Sequence, residues 1–180
     1  RAWKAARDRE LRKARSPAVT RDGMRVVVEA NLGGAREAGY ARLAGAEGVG
    51  VLRTEFLFVD RGQPPSEEEQ LEAYQGIAGA LEGFPLTVRL LDAGGDKQLP
   101  YLDLEPEANP YLGVRGVRLL LRAPDLLRTQ LRAVLRTAAG HPVRLLIPMV
   151  SSVREVLLVK DMLAAERERL RDEGVPSAEQ

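Results

Sequence analysis

Residues 48–58 read GVGVLRTEFLF, and this stretch decides the fold. An apolar run over 49–52 is followed directly by Arg53 and Glu55. A short apolar run of this kind predicts a strand that is buried on both faces, as in a parallel sheet. A guanidinium held at the end of such a strand is a common way to bind a phosphate or a carboxylate. The stretch therefore predicts a buried strand with an anion-binding end.

Strand and helix signals alternate on both sides of this stretch. Apolar runs predict strands over 24–30, 49–53, 86–91 and 143–149. Helical patterns cover 3–15, 35–46, 66–82, 114–139 with a break near Pro124, and 152–172. Ser66 with Glu69 and Ser152 with Glu155 fit capping boxes that begin two of these helices. Four strand–helix units in a row predict an α/β protein with a parallel sheet, either an open doubly wound sheet or a barrel.

The composition excludes several classes of protein. The chain of 180 residues has 27 basic and 26 acidic residues, and this balance argues against a general nucleic-acid or acidic-membrane binder. Without cysteine there is no disulfide or thiolate metal site. No apolar run is long enough for a transmembrane helix, and the charged N-terminus is not a signal peptide. Since the chain starts at Arg1 without methionine, a cut end is expected. Arg128, Arg132 and Arg136 recur every four residues and are interpreted as a solvated helix face.

Three arginines lie near predicted strand ends. Arg53 and Arg89 end the second and third strands, and Arg115 opens the helix after a long loop. Ligands of parallel α/β proteins bind at the carboxyl ends of the strands, so these side chains are expected to converge. The guanidinium bonds two oxygens at once and keeps its charge, which favours a phosphate or carboxylate site. The alternative is that Arg53 pairs with Glu55 or Asp92 in a structural ion network.

Other polar residues carry weaker signals. The loop 94–97, Gly-Gly-Asp-Lys, could let backbone amides approach a phosphate with Lys97 as a point charge, although a plain turn also explains it. It is not a P-loop. The single histidine, His141, is expected at the amino end of the sheet without a functional role. No carboxylate pair has a metal-ligand spacing, and Glu55 and Asp92 could simply orient an arginine.

Motifs along most of the chain resemble those of one known family. The matching residues are 48–58 with Asp60, 65–70 with 73–74, 92–101, 109–113 with Arg115, 128–133 and 147–152. They closely resemble Enzyme I of the bacterial phosphoenolpyruvate:sugar phosphotransferase system, and the resemblance spans residues 15–180.

The resemblance implies a fold and its bounds. Residues 1–22 would be a linker helix and turn. Residues 23–180 would be the N-terminal half, about four βα units, of a phosphoenolpyruvate-binding (β/α)₈ TIM barrel.

The resemblance also implies a function. It implies a cytoplasmic, magnesium-dependent transferase that moves a phosphoryl group from phosphoenolpyruvate to its own histidine. The group then passes to the histidine-containing phosphocarrier protein for sugar uptake. The expected site residues are Arg53 and Arg89, which match substrate-binding arginines, Arg115, which matches a further active-site arginine, and the supporting residues Glu55, Asp92, Lys97 and Asn109.

The sequence departs from the family at several positions. Leu90 stands where Enzyme I usually has threonine, and residues 114–118 replace a tryptophan-containing version. Both departures lean toward pyruvate phosphate dikinases and phosphoenolpyruvate synthases. Those relatives usually have histidine at Phe56 and lack the Gly-Gly-Asp-Lys loop. The mixture resembles multidomain, fused forms of Enzyme I.

The chain supplies about half of the barrel that the resemblance implies. By the resemblance, the magnesium-binding acids and the proton-donating cysteine would lie later in the barrel, and the phosphorylated histidine would lie in an earlier domain. No catalytic residue or metal ligand is therefore expected within these residues, and the fragment alone should be inactive. A half barrel would leave two open sheet edges and an uncovered apolar face, so a homodimer or another partner is expected. The rival functions are a dikinase-like enzyme and a non-catalytic, anion-binding interaction module.

Overall fold

A computed structural model describes residues 3–4, 14, 16–94, 99–102 and 107–178. The strands are β1 Ala18–Val19, β2 Arg25–Val26, β3 Ala30–Leu32, β4 Val49–Arg53, β5 Leu86–Arg89 and β6 Val143–Leu146. The α-helices are α1 Ala38–Leu43, α2 Glu67–Ala80, α3 Val117–Arg122, α4 Pro124–Ala138 and α5 Val153–Asp172, and 3₁₀ turns cover Ala35–Glu37 and Thr54–Leu57. Most of the predicted linker helix lies outside the described residues.

The last four strands form one parallel sheet in the order β3-β4-β5-β6, which follows the chain. The predicted α/β architecture with a parallel sheet is therefore confirmed. A doubly wound sheet reverses its strand order at a switch point, and this sheet does not. Right-handed crossovers between strands in chain order place the connecting helices on a single face. The register sets Arg53 opposite Arg89 at the carboxyl ends of β4 and β5.

The helix boundaries follow from local chemistry. Both predicted capping boxes form, so α2 begins after Ser66 and α5 begins after Ser152. In each box the serine hydroxyl accepts from one backbone N–H, and a glutamate carboxylate accepts from the serine N–H. The predicted break also forms, because Pro124 disfavours helical geometry at the preceding residue, and Ala123 has φ −115° and ψ 67°.

The first predicted strand, 24–30, is displaced in the structure. Its start folds back as β2 against β1, and only Ala30 at its far end enters the main sheet, as the first residue of β3. The turn between β1 and β2 explains this, since Gly23 has φ +88° and the Thr20 hydroxyl accepts a 3.0 Å hydrogen bond from the Met24 N–H. Val27 remains 59% exposed. A run of valines predicts extended backbone, but it does not determine which strand will pair with it.

The core packs on one face of the sheet. Side chains from β4 and β5 meet those of α2 and α4, with Leu52, Val88 and Tyr74 fully buried among them. A second apolar cluster, which includes Phe58, Leu90 and Leu127, lies beyond the strand ends.

The sheet face turned away from this core is mixed rather than uniformly apolar. The exposed polar side chains of Asn31 and Arg144 lie on it, and the register places the half-buried Val51 and Leu146 on the same face. Strand alternation explains this pattern, because Leu86 and Val88 point to the helices and Thr87 and Arg89 point the other way.

The arginine stripe on α4 is not a solvated face, contrary to the prediction. Arg132 pairs with Glu67 of α2 at 2.6 Å and with Glu173 after α5 at 2.6 Å. Arg136 reaches the same Glu67 at 2.7 Å. The side chains of Arg132 and Arg136 are only 16% and 20% exposed. The stripe therefore joins three helices.

None of the helices in the described part of the chain is long and apolar enough to cross a membrane.

Candidate anion-binding site

Two arginines stand side by side at the carboxyl edge of the sheet. Arg53 ends β4 and Arg89 ends β5, in directly paired positions. Arg53 is exposed, and it forms no ion pair with any residue that the structure describes. The alternative expectation, that Arg53 pairs with Glu55 or Asp92, is wrong because Arg89 contacts both carboxylates instead. The Arg53 guanidinium is therefore available to an anion.

Acidic side chains hold the other two arginines. The Arg89 guanidinium donates to Glu55 and lies 3.4 Å from Asp92. Arg115 Nε donates to Asp92 Oδ1 at 2.9 Å, and its NH2 group approaches Oδ2 at 3.4 Å. Glu55, Asp92 and Arg115 are each more than 90% buried. Asp92 thus joins Arg89 to Arg115, and the three arginines exceed the two carboxylates by one positive charge.

Glycines bring Arg115 to this position. Gly94 has φ +124°, and a Cβ there would lie 2.7 Å from the carbonyl oxygen of Val114. Gly116 has φ +55°, and a Cβ there would lie 3.0 Å from Met149. These close approaches pack the segment after β5 and the segment after β6 against the start of α3. The Arg115 guanidinium also lies over the Tyr111 ring, 4.8 Å from its centroid.

A buried hydrogen-bond chain lies beneath the arginines, and sequence reasoning missed it. Gln130 of α4 donates to the hydroxyls of Thr54 and Tyr74 at 3.2 and 3.1 Å, and it accepts from the Leu91 N–H at 2.9 Å. Burial raises the pKa of the Tyr74 phenol, so it stays neutral. One signal was present in the sequence. Gln130 is a polar residue in the apolar stripe of α4, next to Leu131.

The other predicted residues have separate locations. Lys97 lies outside the described residues. Asn109 is exposed in a turn where its carbonyl accepts from the Leu112 N–H at 3.0 Å, and no contact within the described chain joins its side chain to Asp92. His141 directly precedes β6 with Pro142 and so lies at the amino end of the sheet, as predicted.

Arg118 has a structural contact that explains its position near the site. It donates to the carbonyl oxygens of Gly113 and Met149, each at 2.8 Å. It therefore ties the long loop to the segment after β6.

The described residues do not fit the magnesium ion that the resemblance implies. Magnesium prefers carboxylate and water oxygens. The carboxylates of Glu55 and Asp92 already contact guanidinium groups. Within the described ranges, no group of three or more histidine or acidic side chains could hold a metal ion. No chemical step is therefore assigned to a metal at these residues.

Comparison with known proteins identifies the family. The family model described as "PEP-utilising enzyme, PEP-binding domain", in which PEP is phosphoenolpyruvate, matches residues 7–180. The multiphosphoryl transfer protein of Rhodobacter capsulatus is 48% identical over 97% of the chain. The phosphoenolpyruvate-protein phosphotransferases of Staphylococcus carnosus and Haemophilus influenzae are 45% and 46% identical over 94% and 88% of it.

The chain spans only 21%, 30% and 28% of the length of these three relatives, in the same order. Since the family model covers nearly the whole chain, including every arginine of the site, this chain belongs to the PEP-utilising enzymes, in the part that forms their PEP-binding domain.

Proposed function

We propose that this chain forms part of the substrate site of a phosphoenolpyruvate-protein phosphotransferase. Such an enzyme would move the phosphoryl group of phosphoenolpyruvate to its own histidine and then to the histidine-containing phosphocarrier protein. The observation that carries the proposal is the pairing of Arg53 with Arg89 at adjacent strand ends, while Arg53 is left unpaired within the described residues. The relatives' printed names supply the reaction.

The charges of the site suit this substrate. Phosphoenolpyruvate carries a phosphate ester and a carboxylate, together roughly three negative charges at neutral pH. Arg53 can offer a bidentate donor pair to either group. Arg89 and Arg115 are oriented by Glu55 and Asp92, so little side-chain entropy remains to be lost when an anion binds. Guanidinium groups held in this way also stabilise the charge on a phosphoryl group in transit.

The remaining positive charge would come from other residues. The described site has an excess of only one positive charge, which does not balance the substrate. Lys97 of the Gly-Gly-Asp-Lys loop is the proposed additional cation within this chain. Further cationic groups, with the magnesium ion, would come from the longer protein.

The proposed architecture is the N-terminal half of a (β/α)₈ barrel. Four parallel strands in chain order match successive strands of such a barrel, and the site lies at their carboxyl ends, where barrel enzymes place catalysis. The side chains of Glu29 and Arg144 meet across the uncovered sheet face. A sheet that curves toward this face, as in a barrel, would bring them together.

The assembly and setting of the protein follow the same proposal. The open edges at β3 and β6 would be covered by the rest of the barrel or by a second copy in a homodimer. The setting would be the cytoplasm, where phosphoenolpyruvate and the phosphocarrier protein would meet the enzyme.

The test uses the full-length protein that contains this chain. Arg53→Ala should weaken phosphoenolpyruvate binding in calorimetry and abolish autophosphorylation, because a ligating charge is lost. Arg171→Ala is the matched control, since its side chain is 70% exposed near the end of α5 and its ion pair is with Glu168 of the same helix. Unchanged affinity and autophosphorylation in Arg53→Ala would overturn the proposal. Phosphoenolpyruvate binding without phosphoryl transfer would favour an interaction module instead, and nucleotide dependence would favour a dikinase-like enzyme.

A further inference from the structure

The Gln130 side chain lies in the core behind the arginine site. Gln130 is fully buried on α4, and its side chain contacts the segments that follow β4 and β5. These two segments begin directly after Arg53 and Arg89, the last residues of the two strands. The carboxamide is therefore in a position to set the relative placement of the two strand ends.

The hydrogen-bond direction at Gln130 is fully determined. Its oxygen must be the atom that faces the Leu91 N–H, because that backbone group can only donate. Both amide hydrogens then point to the hydroxyls of Thr54 and Tyr74. The Tyr74 hydroxyl in turn donates to Gln70 Oε1 at 3.2 Å, and Gln70 Nε2 donates to the Pro65 carbonyl at 3.1 Å. Both amide hydrogens of Gln130 and the hydroxyl hydrogens of Thr54 and Tyr74 therefore have acceptors.

The hydrogen bonds from Gln130 lead to backbone atoms at the two strand ends. Thr54 lies between Arg53 and Glu55, and its hydroxyl donates to the Arg89 carbonyl at 2.9 Å. Gln130 thus holds Thr54 at the carboxyl end of β4, and Thr54 in turn bonds the backbone of Arg89 at the end of β5. A rotation of Thr54 would move both of its neighbours in the sequence.

We propose that Gln130, acting through Thr54, is a positioning residue that keeps the guanidinium groups of Arg53 and Arg89 at the spacing that binds phosphoenolpyruvate. It does not touch the substrate. The inference rests on the proposed function, because it concerns the geometry of the same site. The Gln130 carboxamide uses its oxygen and both amide hydrogens, so it is hard to replace, since an apolar or acidic side chain cannot donate to both hydroxyls.

The test uses three substitutions and one control in the full-length protein. Gln130→Met preserves the approximate volume and removes all three hydrogen bonds. Thr54→Val preserves the shape of Thr54 and removes its hydroxyl, and Thr54→Ser restores the hydroxyl. The matched control is Thr137→Val, since Thr137 is equally buried on α4 but its hydroxyl donates only to the Ala133 carbonyl of the same helix.

Isothermal titration with phosphoenolpyruvate separates positioning from folding. A structural role alone lowers the fraction of competent protein and hence the stoichiometry, while misplaced arginines raise the Kd of the folded molecules. We expect Gln130→Met and Thr54→Val to raise the Kd about tenfold or more. Thr54→Ser and Thr137→Val should keep the Kd within about twofold, because neither change disturbs the geometry of the strand ends.

The outcomes decide the inference separately from the proposed function. If the unsubstituted protein does not bind phosphoenolpyruvate, the proposed function fails. If it binds and Arg53→Ala weakens binding, but Thr54→Val leaves the Kd unchanged, only the positioning inference is overturned. Should Gln130→Met not fold, the comparison of Thr54→Val with Thr54→Ser decides alone.

Discussion

Glu29 and Arg144 meet across the open face of the sheet, with Glu29 Oε1 and Arg144 NH1 2.8 Å apart. Glu29 directly precedes the first strand of the sheet, and Arg144 lies in the last. Their contact crosses the two strands between them, at the end of the sheet opposite to the arginine site. Gly48 and Gly50 leave the space for this contact. A Cβ at these positions would lie only 3.0 and 3.2 Å from Glu29, which is closer than ordinary packing distances.

We predict that Gly48→Ala lowers the free energy of unfolding. The added Cβ would lie 2.9 Å from Pro85 Cγ and 3.0 Å from both Glu29 Oε1 and the Pro85 carbonyl oxygen, so the strand ends must shift. The expected loss is about 1–3 kcal/mol, measured by urea denaturation. Gly76→Ala is the control, since nothing lies within 4 Å of its Cβ on α2, and it should gain about 0.5–1 kcal/mol. An equal effect at both positions would contradict the close packing of Gly48 against Pro85 and Glu29.

We predict that Asp92→Asn destabilises the protein strongly. The Asp92 carboxylate is buried between the guanidinium groups of Arg89 and Arg115, and its neutralisation leaves two like charges close together. Losing one partner of such a buried group costs about 3 kcal/mol. Asp125→Asn is the control, because its side chain is 90% exposed and the change should cost less than about 1 kcal/mol. A loss below that of the control would show that Asp92 does not hold the arginines together.

We predict that the loss of folding stability at acidic pH depends in part on Glu69. The Arg61 guanidinium, with the Ser66 backbone and hydroxyl, lowers the pKa of the Glu69 carboxyl to about 2. The pKa in the folded state is below that in the unfolded state. The stabilisation from ionised Glu69 is therefore complete above the unfolded pKa, near 4.5, and is lost as the pH falls toward 2.

The Tm difference between the unsubstituted protein and Glu69→Gln should accordingly be largest above about pH 5 and shrink below about pH 4. Carbon chemical shifts of the Glu69 carboxyl would report its titration directly. Arg61→Ala should move that titration toward higher pH. A midpoint near the ordinary glutamate value in the unsubstituted protein would contradict the contact with Arg61.

We predict that Arg132→Ala costs about 1.5–3 kcal/mol of unfolding free energy, because its charged hydrogen bonds reach both Glu67 and Glu173. Arg171→Ala should change little, since its exposed pair with Glu168 lies within one helix. Because the Arg132 pairs are only partly screened by water, part of the loss should persist at about 1 M salt. Equal losses in the two variants would restore the interpretation of a solvated helix face.

Local sequence chemistry predicted most of the elements correctly. Ser66 with Glu69 and Ser152 with Glu155 mark two helix starts, and Pro124 marks a break, because each acts on backbone groups within a few residues. The apolar run at 49–53 predicted a buried parallel strand and set Arg53 at its end. These features depend on the chain's own neighbours, so they can be read without knowing the fold.

The partner of each charged group could not be predicted in the same way. Spacing left Arg53 equally able to bind an anion or to pair with Glu55, and only the structure assigns Glu55 to Arg89. The position of Gln130 in the apolar stripe of α4 marked it as unusual, but its hydrogen-bond partners could not be predicted because they lie 39 to 76 positions away in the sequence. The prediction that residues 26–28 join the main sheet was wrong for a related reason. The turn before them pairs the start of this segment with β1 instead, and the sequence does not show which pairing is preferred.

The sequence by itself determined the alternation of strands and helices, the helix boundaries and the family, since periodicity, capping and motifs are carried by consecutive residues. Only the tertiary structure decided that Arg53 stays available while Asp92 joins Arg89 to Arg115, and that Gln130 supports the two strand ends. The physical reason is that charge pairing and buried hydrogen bonding depend on the distance in space between residues far apart in the chain, which the register of the sheet sets.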